Sequence, residues 1–183
     1  MWVTPPLVTA RQASATGVLV PRADSAYYGY DVVAAALRHG ARFSINARQD
    51  WAVRAAIAGI ADDAWTTIQY PDAVFDEAQQ RWVSAAQVAE VGYTAFTSKP
   101  KGSRVTARLI VRWVKDMNRD HESELFTACR YHAVFTNSPL AMVDAEKAHR
   151  AHAIVEQVII ADLKNGPLAH LPSGHFPRRS PAC

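Results

Sequence analysis

The chain has 183 residues, 49% hydrophobic and 20% charged, which is material for one packed core and excludes a chain disordered throughout. Its formal charge of +3 is a mild bias toward anionic partners. The two cysteines, Cys129 and Cys183, lie too far apart in sequence for a metal-binding spacing or a disulfide framework, which suits a reducing cytoplasm.

In chain order, MWVTPPLVTARQ has neither the basic start nor the apolar core of a signal peptide. No apolar run is long enough to span a bilayer. One short helix is expected within Leu7–Ala15. Gly17–Ala23 reads as a strand, although Pro21 is awkward for a central position. Gly29–His39 reads as a helix that stops at Gly40, with Val32, Val33, Ala36 and Leu37 on one face. Arg42–Ala47 is the next strand, and Asp50–Ile60 a second helix with Asp50 as its N-cap. This β-α-β-α rhythm implies a sheet with helical crossovers.

From Trp65 to about Trp113 the pattern changes to short strands and turns: WTTIQY, RWVS, VGYTAF and RVTARLIVRWV. A strand HAVFTN follows. Then comes the longest helical stretch, roughly Met142–Lys164, which NGPLAHLPSG ends. FPRRSPAC has no apolar period and reads as a disordered tail over 176–183. No internal repeat is present.

Three features can carry chemistry. Asp24 follows a strand, and in open α/β sheets ligands sit beyond the carboxyl ends of strands. There it could hold a cation or take a proton, or it could cap the next turn through the backbone of Ala26 or Tyr27. On the long helix, His149, His152 and Glu156 share a side beside an apolar stripe, as a solvated flank or as ligands. In RVTARLIVRWV, strand alternation puts Arg104, Arg108 and Arg112 on one face with Thr106 and Ile110, either solvated or facing phosphates. The chain has no Walker loop, GxGxxG, GxSxG or CxxC.

RADSAYYG, ARFSINAR, YHAVFTNS and HAIVEQVIIADLKNGPLAHLPSG together resemble the catalytic region of bacterial insertion-sequence transposases of the DDE type (transposase DDE domain, group 1). The resemblance runs from about Leu7 to His175. It implies an α/β fold: a partial ribonuclease-H-like (retroviral-integrase-like) core with a β-rich insertion before a long C-terminal catalytic helix. The core would occupy 1–61, the insertion 62–130, and the return strand and catalytic helix 131–175. The resemblance also implies a two-metal site for Mg2+ (or Mn2+), with Asp24 as the second aspartate and Glu156 as the glutamate. The partner would be DNA at transposon ends, cut and joined by in-line phosphoryl transfer. Arg104, Arg108, Arg112 and Lys164 would contact DNA, and Trp65, Trp82 or Trp113 could stack on an unpaired base. A homo-oligomer, or association with an intact transposase, is expected, and no membrane.

The chain departs from that pattern in three places. Residues 1–23 contain no Asp or Glu, so the first catalytic carboxylate does not lie ahead of Asp24. The strands that should flank Gly17–Ala23 are missing, which would leave an exposed edge. Lys164 stands eight residues after Glu156, where relatives carry lysine at seven; a π-bulge near Ile159-Ile160 would restore its direction. The expectation is a piece truncated at both ends and inactive alone. Alternatives are a non-catalytic DNA-binding remnant and a small metal nuclease that recruits Asp31.

Overall fold

A computed structural model describes residues 4–69, 75–76, 81–82, 86–115 and 129–151. The contacts below lie within one compact unit that ends at His149. Among the described residues there are four α-helices: α1 (Thr4–Gln12), α2 (Tyr30–Arg38), α3 (Trp51–Ala58) and α4 (142–151). The strands are β1 (Arg22–Ala23), β2 (Ser44–Asn46), β3 (Thr66–Ile68), β4 (Phe75–Asp76), β5 (Arg81–Trp82), β6 (Ala86–Ala95), β7 (Val105–Lys115) and β8 (Cys129–Thr136). Six of them form one mixed sheet in the order β1-β2-β8-β7-β6-β3, and β4 pairs with β5. The class is α/β.

β1 and β2 run parallel, joined by α2, as a helical crossover requires. Every other pair in the large sheet is antiparallel. β8 inserts between β2 and β7, so the α/β start and the β-rich stretch share one sheet. Alternation divides the chemistry of β7. Leu109 and Val111 join Ile45, Ala133 and Phe135 on one face, where α1, α2 and α3 cover them with Leu7, Val33, Ala36, Val53 and Ile57. On the other face Ile110 joins Val88, Ala86 and Ile68, and α4 covers them with Ala145, Met142 and Val143.

Phe135 is the centre of the first face. Its ring lies 5.2 Å from Phe43, 5.9 Å from Tyr93, 6.1 Å from Tyr28 and 6.3 Å from Phe96. Three of these contacts are edge-on, the arrangement that ring quadrupoles favour. Burial, with Tyr93 and Asp50 nearby, pushes the Tyr28 phenol far up, and burial also raises that of Tyr93. Phe96, the residue just after β6, has φ 62°, in the left-handed region that bulky side chains avoid. Packing on Tyr28, Tyr30 and Phe135 holds it there.

Several local expectations hold. The Asp50 carboxylate accepts from the backbone of Ala52 and Val53, both at 3.0 Å, and so starts α3. Gly40 takes φ 62° just after α2. Others shift. α1 begins at Thr4, three residues before the expected Leu7–Ala15 segment. β6 begins at Ala86, five residues before VGYTAF, because the whole segment pairs with β7 from Ala86↔Val114 to Ala95↔Val105. Pro21 lies just ahead of β1, so the donor it lacks falls outside the strand's own pairing with β2. Among the described residues no helix is long and apolar enough to cross a membrane.

Candidate functional site

Asp24 stands where β1 stops, beside the carboxyl end of its parallel neighbour β2. Its backbone is extended (φ −75°, ψ −178°), and it N-caps the 3-10 turn Ser25–Tyr27. One carboxylate oxygen accepts the Ala26 N–H at 2.8 Å. The capping alternative therefore describes part of this residue. The cap also fixes the carboxylate, which is exposed at the strand end.

A cleft of about 260 Å3 opens from Ser25, the next residue, across the end of β2. Asn46, Arg48, Gln49, Tyr131 and His132 line it. Its wall is pinned by the backbone: Ala47 N–H donates to the Ala133 carbonyl at 2.8 Å, and the Gln49 amide donates to the Tyr131 carbonyl. A guanidinium, two side-chain amides and an imidazole around one opening suit an oxygen-rich anion.

His149, on α4, is not solvated as the flank reading supposed. Its Nε2 lies 3.1 Å from Asn46 Oδ1 and its Nδ1 2.8 Å from Ser44 Oγ. With Asn46 Oδ1 accepting, Nε2 carries the proton, and Ser44 donates its hydroxyl hydrogen to Nδ1. Both ring nitrogens are thus engaged, which opposes a zinc role for this side chain. Neighbouring polar residues act in the same way. Thr136 Oγ1 donates to the Phe43 carbonyl at 2.6 Å and accepts from Ser138 N–H at 3.1 Å, while Asn137 Oδ1 accepts from Phe43 N–H at 2.8 Å. In ARFSINAR and YHAVFTNS, these polar residues fasten β2, β8 and α4 to one another.

The three arginines of β7 separate. Arg104 is exposed ahead of the strand. Arg108 reaches Glu90 through Nε at 2.9 Å and through Nη2, and its Nη1 donates to the carbonyls of Ser138 and Leu140, both at 2.7 Å. Arg112 pairs with Glu146 of α4 at 3.4 Å, and Glu146 is only 4% exposed. Two of the three β7-region arginines expected to face phosphates therefore have partners within the chain. Trp65 and Trp113 also pack internally, 6.5 Å apart, with Tyr131 6.3 Å from Trp65. Glu156, His152, Lys164 and the proposed bulge lie outside the described residues, as does the Trp82 side chain.

Among the described residues no group of three or more His, Cys, Asp or Glu side chains gathers in a metal-binding arrangement. No protein-family model matches the chain, and no curated protein matches it. Sequence reasoning missed Glu146, and a signal for it existed. It falls three and four residues after Val143 and Met142, on the stripe that also carries Ala145. An acid on such a stripe needs a buried partner.

Proposed function

We propose that this chain is a portion of a DDE transposase with a ribonuclease-H-like core, whose family reaction is metal-dependent DNA strand cleavage and joining. The observation that carries the reading is the placement of Asp24. It is an exposed carboxylate at the carboxyl end of a parallel strand pair, steadied by the Ala26 N–H, beside a polar cleft. A hard carboxylate oxygen there fits Mg2+ or Mn2+, and Asp24 with Glu156 would hold it. The metal supplies Lewis acidity toward a phosphodiester and its attacking oxygen. Arg48 and the amides of Asn46 and Gln49 give the cleft donors for phosphate oxygens. Within this sequence Asp24 and Glu156 are the two carboxylates assigned to the metal.

The test is a Mn2+ titration followed by water-proton relaxation. Asp24→Asn is the informative variant, because asparagine still caps the turn but donates a weaker oxygen. We expect it and Glu156→Gln each to weaken Mn2+ binding by about tenfold or more. Identical isotherms for the wild type and both variants would sink the proposal. So would Mg2+-dependent plasmid nicking that survives in Asp24→Asn.

A further inference from the structure

β1 is one edge of the six-stranded sheet. The chain before it also runs along β2: Leu19 and Pro21 offer their carbonyls to the N–H groups of Arg42 and Ser44, at 2.8 and 3.1 Å. Backbone groups alternate sides along an extended chain, so those of Val18, Val20 and Arg22 point away from β2. The N–H that Pro21 lacks is on the inner side, and the outer side keeps every donor. Val18 is 69% and Val20 40% exposed, and neither is a residue that protects an edge.

A groove of about 240 Å3 runs beside this edge, on the sheet face that α4 covers. Val18, Val20, Leu140 and Ala145 make it apolar, and Arg22 and Arg42 give it two cations. Among the described residues no carboxylate lines it. Alternation puts Val18, Val20 and Arg22 on one face, so a strand added here sets its own alternate side chains against two valines and then a guanidinium.

We propose that the open edge of β1 binds an extended peptide as one further strand, with apolar residues two apart followed, two positions on, by an acid. Backbone hydrogen bonds to Val18, Val20 and Arg22 supply the pairing. The groove takes the apolar side chains, and Arg22 with Arg42 selects the carboxylate. This inference does not depend on the phosphodiester chemistry proposed above.

The test uses the full chain and a fluorescein-labelled peptide SVTVTEST, read by anisotropy, with a lysine-for-glutamate peptide as control. We expect saturable binding of the acidic peptide and at least about tenfold weaker binding of the lysine peptide. Val20→Pro removes an outward N–H without touching the β2 side and should weaken the acidic peptide about tenfold. Arg22→Glu, a change on an exposed side chain, should reverse the preference between the two peptides. Equal affinity for both peptides, or binding indifferent to Val20→Pro in a variant whose circular dichroism matches wild type, overturns the proposal. A wild-type dimer in sedimentation that Val20→Pro converts to monomer also overturns it, because the occupant would then be a second copy.

Discussion

The two faces of β7 solve one burial problem differently. On the side of Leu109 and Val111 the strand meets rings gathered around Phe135, and shape alone closes the contact. On the side of Ile110 two arginines enter the contact, and each needs carboxylate or carbonyl partners. Apolar packing has graded costs when altered. A buried charge pair is conditional, and losing one member leaves the other stranded. The difference teaches that a basic strand face, read from alternation, need not face a ligand. It can face a helix of its own chain.

The comparison can be broken most forcefully at its apolar side. Phe135→Ala should cost about 3 to 5 kcal/mol in urea unfolding, because it empties the centre of the ring cluster. A loss below about 1 kcal/mol would mean that the rings do not close this face. On the charged side, Glu146→Ala should cost about 3 kcal/mol by removing the buried carboxylate that pairs with Arg112. The double change Arg112→Met with Glu146→Leu should recover most of that loss. If the double variant is as unstable as the single one, the pair is not what the buried side of α4 depends on.

A smaller effect sharpens the contrast between the two arginines. Arg108→Ala should cost about 1 to 2 kcal/mol, mainly through the Ser138 and Leu140 carbonyls. Glu90→Gln should cost less, since Glu90 is exposed and an exposed ion pair contributes little. Amide exchange in the first turn of α4 should accelerate in the first variant and not in the second.

The smallest effect is on pH. Burial raises the Tyr28 phenol, so the folded state keeps a proton that the unfolded chain releases near the ordinary tyrosine value of about 10. The contribution is complete below that pH. It declines as pH rises above it, because the unfolded state then binds fewer protons than the folded state. Tyr28→Phe should flatten the alkaline limb of a stability profile. An unchanged slope would remove Tyr28 as its cause.

Legibility in the sequence followed the range of the interactions. α2, α3 and their stops were readable because Asp50 and Gly40 act on backbone a few residues away. The division of β7 was readable because alternation is local. The partners of that strand were not. Glu90 is 18 residues from Arg108, and Ser44 and Asn46 are 105 and 103 residues from His149. β6 hid its first half because AQVAE carries little β-propensity and becomes a strand by pairing with β7. Asp24 was picked out by its place at a strand end and by the resemblance, and its cap on Ala26 was one of the readings offered; that the capping carboxylate is also exposed needed coordinates.

Phe96 has a consequence for tolerated variation. Its ring is wanted by three aromatic neighbours, while its φ of 62° penalises a side chain by about 1 kcal/mol. In a saturation library selected for folding, hydrophobicity would therefore be a poor guide at this position. Valine and isoleucine should be depleted more strongly than tyrosine or histidine, and asparagine should persist despite its polarity.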